Sequence, residues 1–279
     1  MRIWKYSARD AVPVAITALQ LSLNVWLAAT WNERSVPQLF LLWPLCALLF
    51  WYNPIVATHN VLHTPWFASA TANSVYAALN SVNLGLPQIL YRFHHLNHHR
   101  HENDRPVTDG RTRDHSSTYA YGRHGRHEHV VSYCALGLFR RGTTEAYRQV
   151  IRKGYSRQFS FELVVCLLGL AGYALLSWRY FAFFYLSTFY CGWFLAQLEN
   201  YYEHFGASPE NRAANSVSYY GRLYNLFFCN EGYHQEHHLQ PQLHWTRRSE
   251  VRMAPTRTER VVSKFPPLLG FLDQRPEGG

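Results

Sequence analysis

The stretch Phe40–Tyr52, which reads FLLWPLCALLFWY, decides the fold of this chain. It lies inside an uncharged run from Val36 to Thr58, and about 20 apolar residues are enough to cross the ~30 Å hydrocarbon core of a bilayer. Pro44 and Pro54 interrupt the run, but proline is tolerated in a spanning helix when neighbouring groups satisfy the freed carbonyls. The run therefore predicts a transmembrane helix.

Three further runs have the same character. One follows Asp10 and stays uncharged up to Glu33, and two more lie on either side of Arg179. A single run of this length also fits a buried core helix, but four of them beside polar loops favour a membrane protein. We predict spans near residues 12–31, 36–58, 161–178 and 180–199, paired as two hairpins. The first is longer than the apolar part of a signal peptide and no A-x-A site follows it, so we expect it to be retained.

The composition excludes several classes of protein. Of the 279 residues, 48% are hydrophobic and only 16% are charged, against about 25% charged residues in soluble domains. The chain is too apolar to be disordered and too poor in charge for an ordinary cytosolic enzyme. Its five cysteines are scattered and form no C-x-x-C pair, which argues against a disulfide scaffold or a zinc ribbon and is compatible with a reducing compartment.

The distribution of basic residues predicts the topology. Of the 27 Lys and Arg residues, 25 lie at the N-terminus, between residues 64 and 160, or after His204, and the two predicted hairpin turns hold one each. By the positive-inside rule, both termini and the segments 64–160 and 204–279 should be cytoplasmic. We expect the uncharged stretch Thr64–Tyr91, which is rich in polar residues, to be an interfacial or re-entrant helix.

These patterns predict the fold class. We expect an all-α integral membrane protein in which about four transmembrane helices carry a cytoplasmic helical cap with a histidine-rich site for two metal ions. The whole chain, residues 1–279, should form one such domain, in a bacterial inner membrane. The net charge of +9 is explained by topology and by anionic headgroups, so we expect no nucleic-acid partner.

Histidine is the residue that carries the chemistry, because the chain has 16 of them and they cluster on the predicted cytoplasmic side. An H-x-x-x-H pair comes first, in ATHNVLH. Two clusters with i, i+3, i+4 spacing follow, in HHLNHHRHEND and in NEGYHQEHHLQP. A further histidine follows the fourth span in LENYYEHFG. These clusters contain His59 and His63; His95, His98 and His99; His234, His237 and His238; and His204.

This spacing places imidazoles on one face of each helix. Nine imidazoles are more than one ion can use, so two ions with four or five ligands each are the natural partition. Imidazole binds iron, copper, zinc and nickel, and the residue types alone leave the metal open. Each ligating ring needs a partner for its other nitrogen; the carboxylates closest in sequence are Glu203, Glu236, Asp104 and Glu231. The stretch GRHGRHEH, residues 122–129, is predicted to be an exposed loop, or otherwise an auxiliary metal site.

The order H-x-x-x-H, H-x-x-H-H, H-x-x-H-H around four spans resembles the membrane fatty acid desaturase superfamily. HHLNHHRHEND followed by Arg-Pro is similar to the second histidine box of that superfamily, and NEGYHQEHHLQP to the third. NYYEHFG resembles the segment before the last box of the related membrane alkane hydroxylases. The resemblance implies a non-haem centre of two iron ions, with O2 as co-substrate, that attacks an unactivated C–H bond.

Carried over position by position, the resemblance implies metal ligands at each histidine of these clusters and a water-mediated ligand at Asn200. The implied ligands are His59, His63, His95, His98, His99, His204, His234, His237 and His238. A departure from the family pattern concerns the outcome: the third box is desaturase-like, whereas NYYEHFG is closer to hydroxylases.

The leading functional prediction is an oxidoreductase of lipid metabolism that introduces a double bond into a fatty acyl chain. The alternative is a hydroxylase or ketolase of a lipid, alkane or terpenoid with the same centre. A non-redox metal transporter or storage protein is a remote alternative, because the predicted spans have no charged residue in their interiors. No nucleotide, haem or iron–sulfur motif is present, so a separate ferredoxin, rubredoxin or cytochrome should supply electrons. The arginines near the boxes, Arg92, Arg222, Arg247 and Arg248, are its predicted docking sites.

Overall fold

The computed structural model describes residues 2–107, 110–140, 142–251, 260–273 and 275. Within these residues the chain is almost entirely helical. Its α-helices are α1 (Ala11–Ala29), α2 (Val36–Tyr52), α3 (His59–His63), α4 (Ala70–Leu84), α5 (Gln88–His101), α6 (Val130–Gly137), α7 (Thr143–Arg152), α8 (Ser156–Leu176), α9 (Leu186–His204), α10 (Arg222–Phe227) and α11 (His234–Leu239). Strands β1 (Val217–Ser218) and β2 (Val261–Val262) form a single parallel pair. Short 3-10 turns cover Ala8–Asp10, Trp31–Glu33, Trp245–Glu250 and Pro267–Leu272.

Four of the described helical segments are long and apolar enough to cross a membrane. They are Ala8–Ala29, Val36–His63, Ser156–Leu176 and Tyr180–His204. The prediction of an all-α membrane protein with four spans is therefore confirmed. The second and fourth segments continue beyond their predicted C-terminal ends, to His63 and His204. The second segment continues because the π-helical turn Asn53–Thr58 joins α2 to α3 without a break, and a second π-helical turn, Tyr180–Tyr185, leads into α9. Pro54 is the second residue of the first of these turns.

The described residues form two compact units. Unit 1 contains Met1–Phe93 and Thr143–Trp193, and unit 2 contains His94–Gly142 and Phe194–Gly279. The first unit therefore holds most of the four spans. The second holds two of the three histidine clusters and His204.

Unit 1 is a bundle in which α4 packs along α8 and α1 packs against α2, α4 and α8. Its core is aromatic: Phe50, Tyr180 and Tyr185 are buried together with Leu27. Helices in lipid associate through close packing of small residues rather than through the hydrophobic effect. Gly169 shows this, because a Cβ atom at that position would lie 2.6 Å from a methyl group of Val82.

A buried polar network fixes the π-helical turn before α3. The Asn53 side-chain amide donates to Gln20 and to Asn80, and Thr58 donates to the Asn53 carbonyl oxygen, all at 2.8 Å. The Asn80 amide in turn donates to Thr58 and to Gln88. Uncharged amides in a membrane helix bundle need such partners, because no water reaches them. The network sets the direction in which α3 leaves the turn.

Unit 2 consists of short helices and irregular segments. Val217 pairs with Val261 in the two-residue sheet. Helix α5 ends at two consecutive residues with left-handed backbone, Glu102 and Asn103, whose φ angles are 52° and 61°. The Asn103 N–H then donates to Asp114 and its side-chain oxygen accepts from Thr118. These bonds stabilise the strained reversal and bring the segment after residue 110 back to α5.

Candidate metal centre

The first histidine pair lies in unit 1, at the two ends of α3. His59 and His63 are one helical turn apart, their ring centroids are 5.5 Å apart, and both side chains are almost completely buried. The π-helical turn Asn53–Thr58 precedes them directly. Such turns are rare and are often found at functional sites. The structure therefore presents the pair as the i, i+4 spacing predicts.

In unit 2, one group of histidines combines α5 and α11. His95 and His99 lie one turn apart on α5, and their Nε2 atoms are 2.9 Å apart. The Nε2 atom of His237 lies 2.9 Å from that of His99. Three imidazole nitrogens from two helices thus converge on one point. We call His95, His99 and His237 the three-histidine group.

A second group of unit 2 combines α5, α9 and α11. His98, His204, His234 and His238 each offer a ring nitrogen within 4.8 Å of the others. All four residues are at most 3% exposed. The Nε2 atoms of His204 and His234 are 3.3 Å apart. We call these residues the four-histidine group.

Helical geometry explains how each cluster divides between the two groups. On α5 the residues at i and i+4 enter the three-histidine group, and His98 at i+3 enters the four-histidine group. On α11 the division is reversed: His234 and His238 at i and i+4 join the four-histidine group, and His237 joins the other. Positions i+3 and i+4 both lie on the same side of the helix as position i, but they differ from each other by about 100° of rotation. The H-x-x-H-H spacing therefore lets one short helix serve two sites.

Hydrogen bonds fix two rings of the four-histidine group in one tautomer. His98 Nδ1–H donates to Asp114 Oδ2 at 2.7 Å, and His204 Nδ1–H donates to the Asn215 carbonyl at 3.2 Å. In both rings the lone pair therefore lies on Nε2, as ligation by Nε2 requires. The Nε2 atom of His98 is buried and has no hydrogen-bond partner among the described residues, although a buried polar atom normally has one.

The carboxylate behind His98 is held as an anion. Asp114 also accepts from the backbone N–H groups of Asn103 and Ser116 and from the Ser116 hydroxyl. Burial by itself raises the pKa of the Asp114 carboxyl, but the His98 ring and the Ser116 bonds outweigh burial and hold that pKa well below its usual range. A carboxylate–histidine pair of this kind is the usual support of a metal-ligating imidazole.

The donor set fits metal ions. Two ligands at right angles around an ion, each about 2.1 Å from it, are about 3 Å apart, close to the 2.9 Å between Nε2 atoms in the three-histidine group. His99 Nε2 holds either one proton or one lone pair, so without an ion it could make a good hydrogen bond to only one of its two neighbours, His95 and His237. Both groups of unit 2 therefore have the chemistry and spacing of metal sites.

Comparison with known proteins identifies the family of this chain. The sequence model of the family described as "Fatty acid desaturase" matches residues 35–266, which is most of the chain. The chain belongs to the fatty acid desaturase family. The resemblance predicted from the histidine spacing is thereby confirmed.

Several curated relatives of this desaturase-family chain act, by their names, on sphingolipids. The sphingolipid delta(4)-desaturase of Schizosaccharomyces pombe is 28% identical over 230 residues, which are 73% of this chain and 58% of that protein. A DES1-like sphingolipid delta(4)-desaturase of Arabidopsis thaliana is 27% identical over 69% of this chain and 56% of its own. One from Oryza sativa is 25% identical over 84% and 70%. The chain spans a little over half the length of the first two.

The carboxylates that we predicted as partners of the ligands have different roles in this family member. Glu203 lies beside a predicted ligand, with Oε1 3.5 Å from His234 Nδ1. Glu236 accepts from Ser218 and Tyr220, Glu231 pairs with Arg248, and Asp104 accepts from the backbone at residues 113 and 114. The prediction missed Asp114, because it lies 16 residues after His98 in an irregular segment that no spacing rule covers.

Asn200 has structural partners, and one histidine of the predicted loop is buried. The Asn200 amide donates to the Tyr133 hydroxyl at 2.6 Å, and that hydroxyl donates to the Ser116 carbonyl. Asn200 is thus connected, through Tyr133, to the residue that supports Asp114. In the stretch 122–129, Arg123, His124 and Arg126 are exposed as predicted, but His127 is buried beneath them.

His127 makes the stability of this desaturase-family fold depend on pH. Burial, with a smaller effect of Arg105, lowers its pKa from 6.5 to about 4. The pKa of His127 is lower in the folded state than in the unfolded state, so the unfolded state binds a proton first as the pH falls. The stability present above pH 6.5 is therefore lost as the pH falls towards 4. We expect the free energy of unfolding to fall by about 2 kcal/mol more in the wild type than in His127→Gln between pH 7.5 and 5.

Denaturant unfolding in detergent at the two pH values measures this difference. Protonation of the other histidines affects both proteins alike. His124→Gln is the matched control, because His124 is exposed and lies three residues before His127. Equal losses in the wild type and His127→Gln would show that His127 is not the titrating group.

Proposed function

We propose that this chain is an O2-dependent lipid desaturase that uses two non-haem iron ions bound by histidines alone. The observation that carries the proposal is the pair of all-imidazole groups in unit 2, built from the same two helices and from α9. The proposed ligands are His59, His63, His95, His98, His99, His204, His234, His237 and His238. Iron held in this way would supply the one-electron and O2 chemistry that an unactivated C–H bond requires.

The residues of this chain hold the ligands and keep water away from them. Asp114 and the Asn215 carbonyl each fix the Nδ1–H tautomer of one ring. Glu203 lies behind His234. All four rings of the four-histidine group are buried, and the exclusion of water protects a reactive oxidant from side reactions. The ligands of this group are thus preorganised before the substrate binds.

We propose a long-chain lipid as the substrate. The chain belongs to a family described as fatty acid desaturases, and the relatives above are named as acting on sphingolipids. Both names describe a hydrocarbon chain attached to a polar head. The sphingolipid long-chain base is therefore the first substrate to test, and a fatty acyl chain the second.

The test is the lipid profile of a host that lacks this activity. With the chain expressed, we expect lipids two hydrogens lighter than the substrate, and none with the His98→Ala variant. A product that gained one oxygen would instead support the hydroxylase alternative, and an unchanged profile with iron-loaded protein would contradict the proposal. In vesicles, the purified protein should need a separate electron-transfer protein and a reductant in addition to O2. This arm tests the proposed ferredoxin, rubredoxin or cytochrome partner.

We propose that the histidine groups and both termini face the cytoplasm, in the case of a bacterial host across its inner membrane. The proposal rests on the location of 25 of 27 basic residues. Cysteines introduced at Arg34 and Arg179 should then react with an impermeant maleimide added to intact cells. A cysteine at the exposed residue Asn211 should react only after lysis. Labelling at Asn211 in intact cells would contradict this topology.

The donor-docking prediction needs one correction. Arg248 is only 1% exposed and its guanidinium is bound to Glu231 at 3.0 Å, so it is a structural residue and not part of a docking surface. Arg222, by contrast, is exposed.

A further inference from the structure

Helix α10 presents an apolar face outward from unit 2. Leu223 and Leu226 are each 72% exposed, and Phe227 is 64% exposed. The spacing i, i+3, i+4 puts the three side chains on one side of the helix. Contiguous apolar groups on a surface are typical of a contact with lipid or with another protein.

The opposite face of α10 is fixed to the protein. The Asn225 amide donates to the carbonyls of Tyr219 and Gly221 at 2.9 and 3.0 Å. Tyr224 stacks on Phe228 with 4.6 Å between ring centroids, and its hydroxyl donates to the Glu199 carboxylate. The exposed face therefore has a defined orientation, and it is not a frayed segment.

The hydrogen bond from Tyr224 to Glu199 indicates the depth of α10 relative to the bilayer. Glu199 is the twentieth residue of the spanning segment Tyr180–His204. At 1.5 Å per residue it lies about 28 Å from the start of that segment, close to the ~30 Å thickness of a hydrocarbon core. The Tyr224 side chain thus ties α10 to α9 at the level where the bilayer core ends.

We propose that the Leu223, Leu226 and Phe227 face of α10 is seated in the interfacial layer of the membrane, with Arg222 binding a lipid phosphate. The occupant is lipid and not a protein because the same helix is bonded, through Tyr224, to Glu199 near the end of a membrane-spanning helix. A basic residue beside an apolar helical face is typical of an interfacial helix. Arg222, predicted above as a donor-docking residue, is here a headgroup residue.

The position of α10 gives this contact a consequence for the centre. Only six residues separate its last residue, Phe227, from His234, the first histidine of α11. Anchoring α10 in the interface would hold α11 at a constant depth. The proposal concerns membrane contact and does not depend on the identity of the metal or the reaction.

Spin labels test the contact. The variants Leu226→Cys and Leu223→Cys, in the full-length protein, carry a nitroxide in phosphatidylcholine nanodiscs that contain phosphatidylglycerol. We expect collisions with O2, which concentrates in lipid, to exceed collisions with a polar nickel chelate several-fold at both sites. Arg123→Cys, in the exposed loop, is the matched control and should show the reverse. The wild type treated in the same way gives the background of the native cysteines.

Two outcomes would overturn the proposal. One is a nickel accessibility at residues 223 and 226 equal to that at residue 123, which would place α10 in water. The other is an immobile label that is accessible to neither reagent, which would show that a protein segment covers the face. Each variant changes one exposed side chain, and an unchanged melting temperature confirms that it is folded.

Discussion

Replacing His238 by alanine is expected to reduce lipid desaturation by at least about a hundredfold and to remove iron from the purified protein. His238 is buried in the four-histidine group, and its ring lies 5.1 Å from those of His98 and His204 between centroids. Alanine supplies no ligand in its place, and loss even of an outer-shell partner typically costs 10- to 100-fold in metal affinity or activity. Product formation and iron content, measured on the same preparation, check the prediction.

His124→Ala is the matched control for this experiment. It removes an imidazole from the same chain, but His124 is exposed and belongs to neither histidine group. We expect unchanged iron content and activity. If His238→Ala and His124→Ala behaved alike, the assignment of the ligands would be wrong. Melting temperatures separate loss of the metal from loss of the fold.

Replacing Asp114 by asparagine is expected to weaken iron binding by about 10- to 100-fold while leaving all nine histidines in place. The carboxylate accepts from four donors, among them His98 Nδ1–H. An amide has only one acceptor oxygen, so its NH2 group would face one of these donors. His98 would then lose the bond that fixes its tautomer.

The measurement is the chelator concentration that removes half of the iron, which does not depend on turnover. Glu210→Gln is the control, because it removes the same charge from a side chain that is 64% exposed. An unchanged half-point in Asp114→Asn, with the fold intact, would show that Asp114 only stabilises the loop.

The spans could be predicted from the sequence because they depend on a property of whole segments. Four uncharged runs were enough to place the helices, as the run Val36–Thr58 illustrates. The ends of these helices depend instead on local contacts. The second spanning segment continues to His63, because the Asn53–Asn80 network and the π-helical turn satisfy backbone and amide groups that the sequence would leave unpaired.

The histidines could be selected from the sequence, but their division between two groups could not. Whether His98 joins His95 or His204 depends on the rotation of α5 against α9 and α11, which is a matter of tertiary packing. Asp114 and the burial of His127 were missed for a similar reason. Both are brought into place by irregular segments, and such segments follow no periodic pattern of residues.

The central claim, that the histidines bind two iron ions, is tested most directly by the metal content of the purified protein. Elemental analysis of active protein should give about two iron atoms per chain, because the donor set offers more imidazoles than one ion can use. The His98→Ala and His238→Ala variants should each lose iron in the same assay. Active protein with one zinc and no iron per chain would contradict the account.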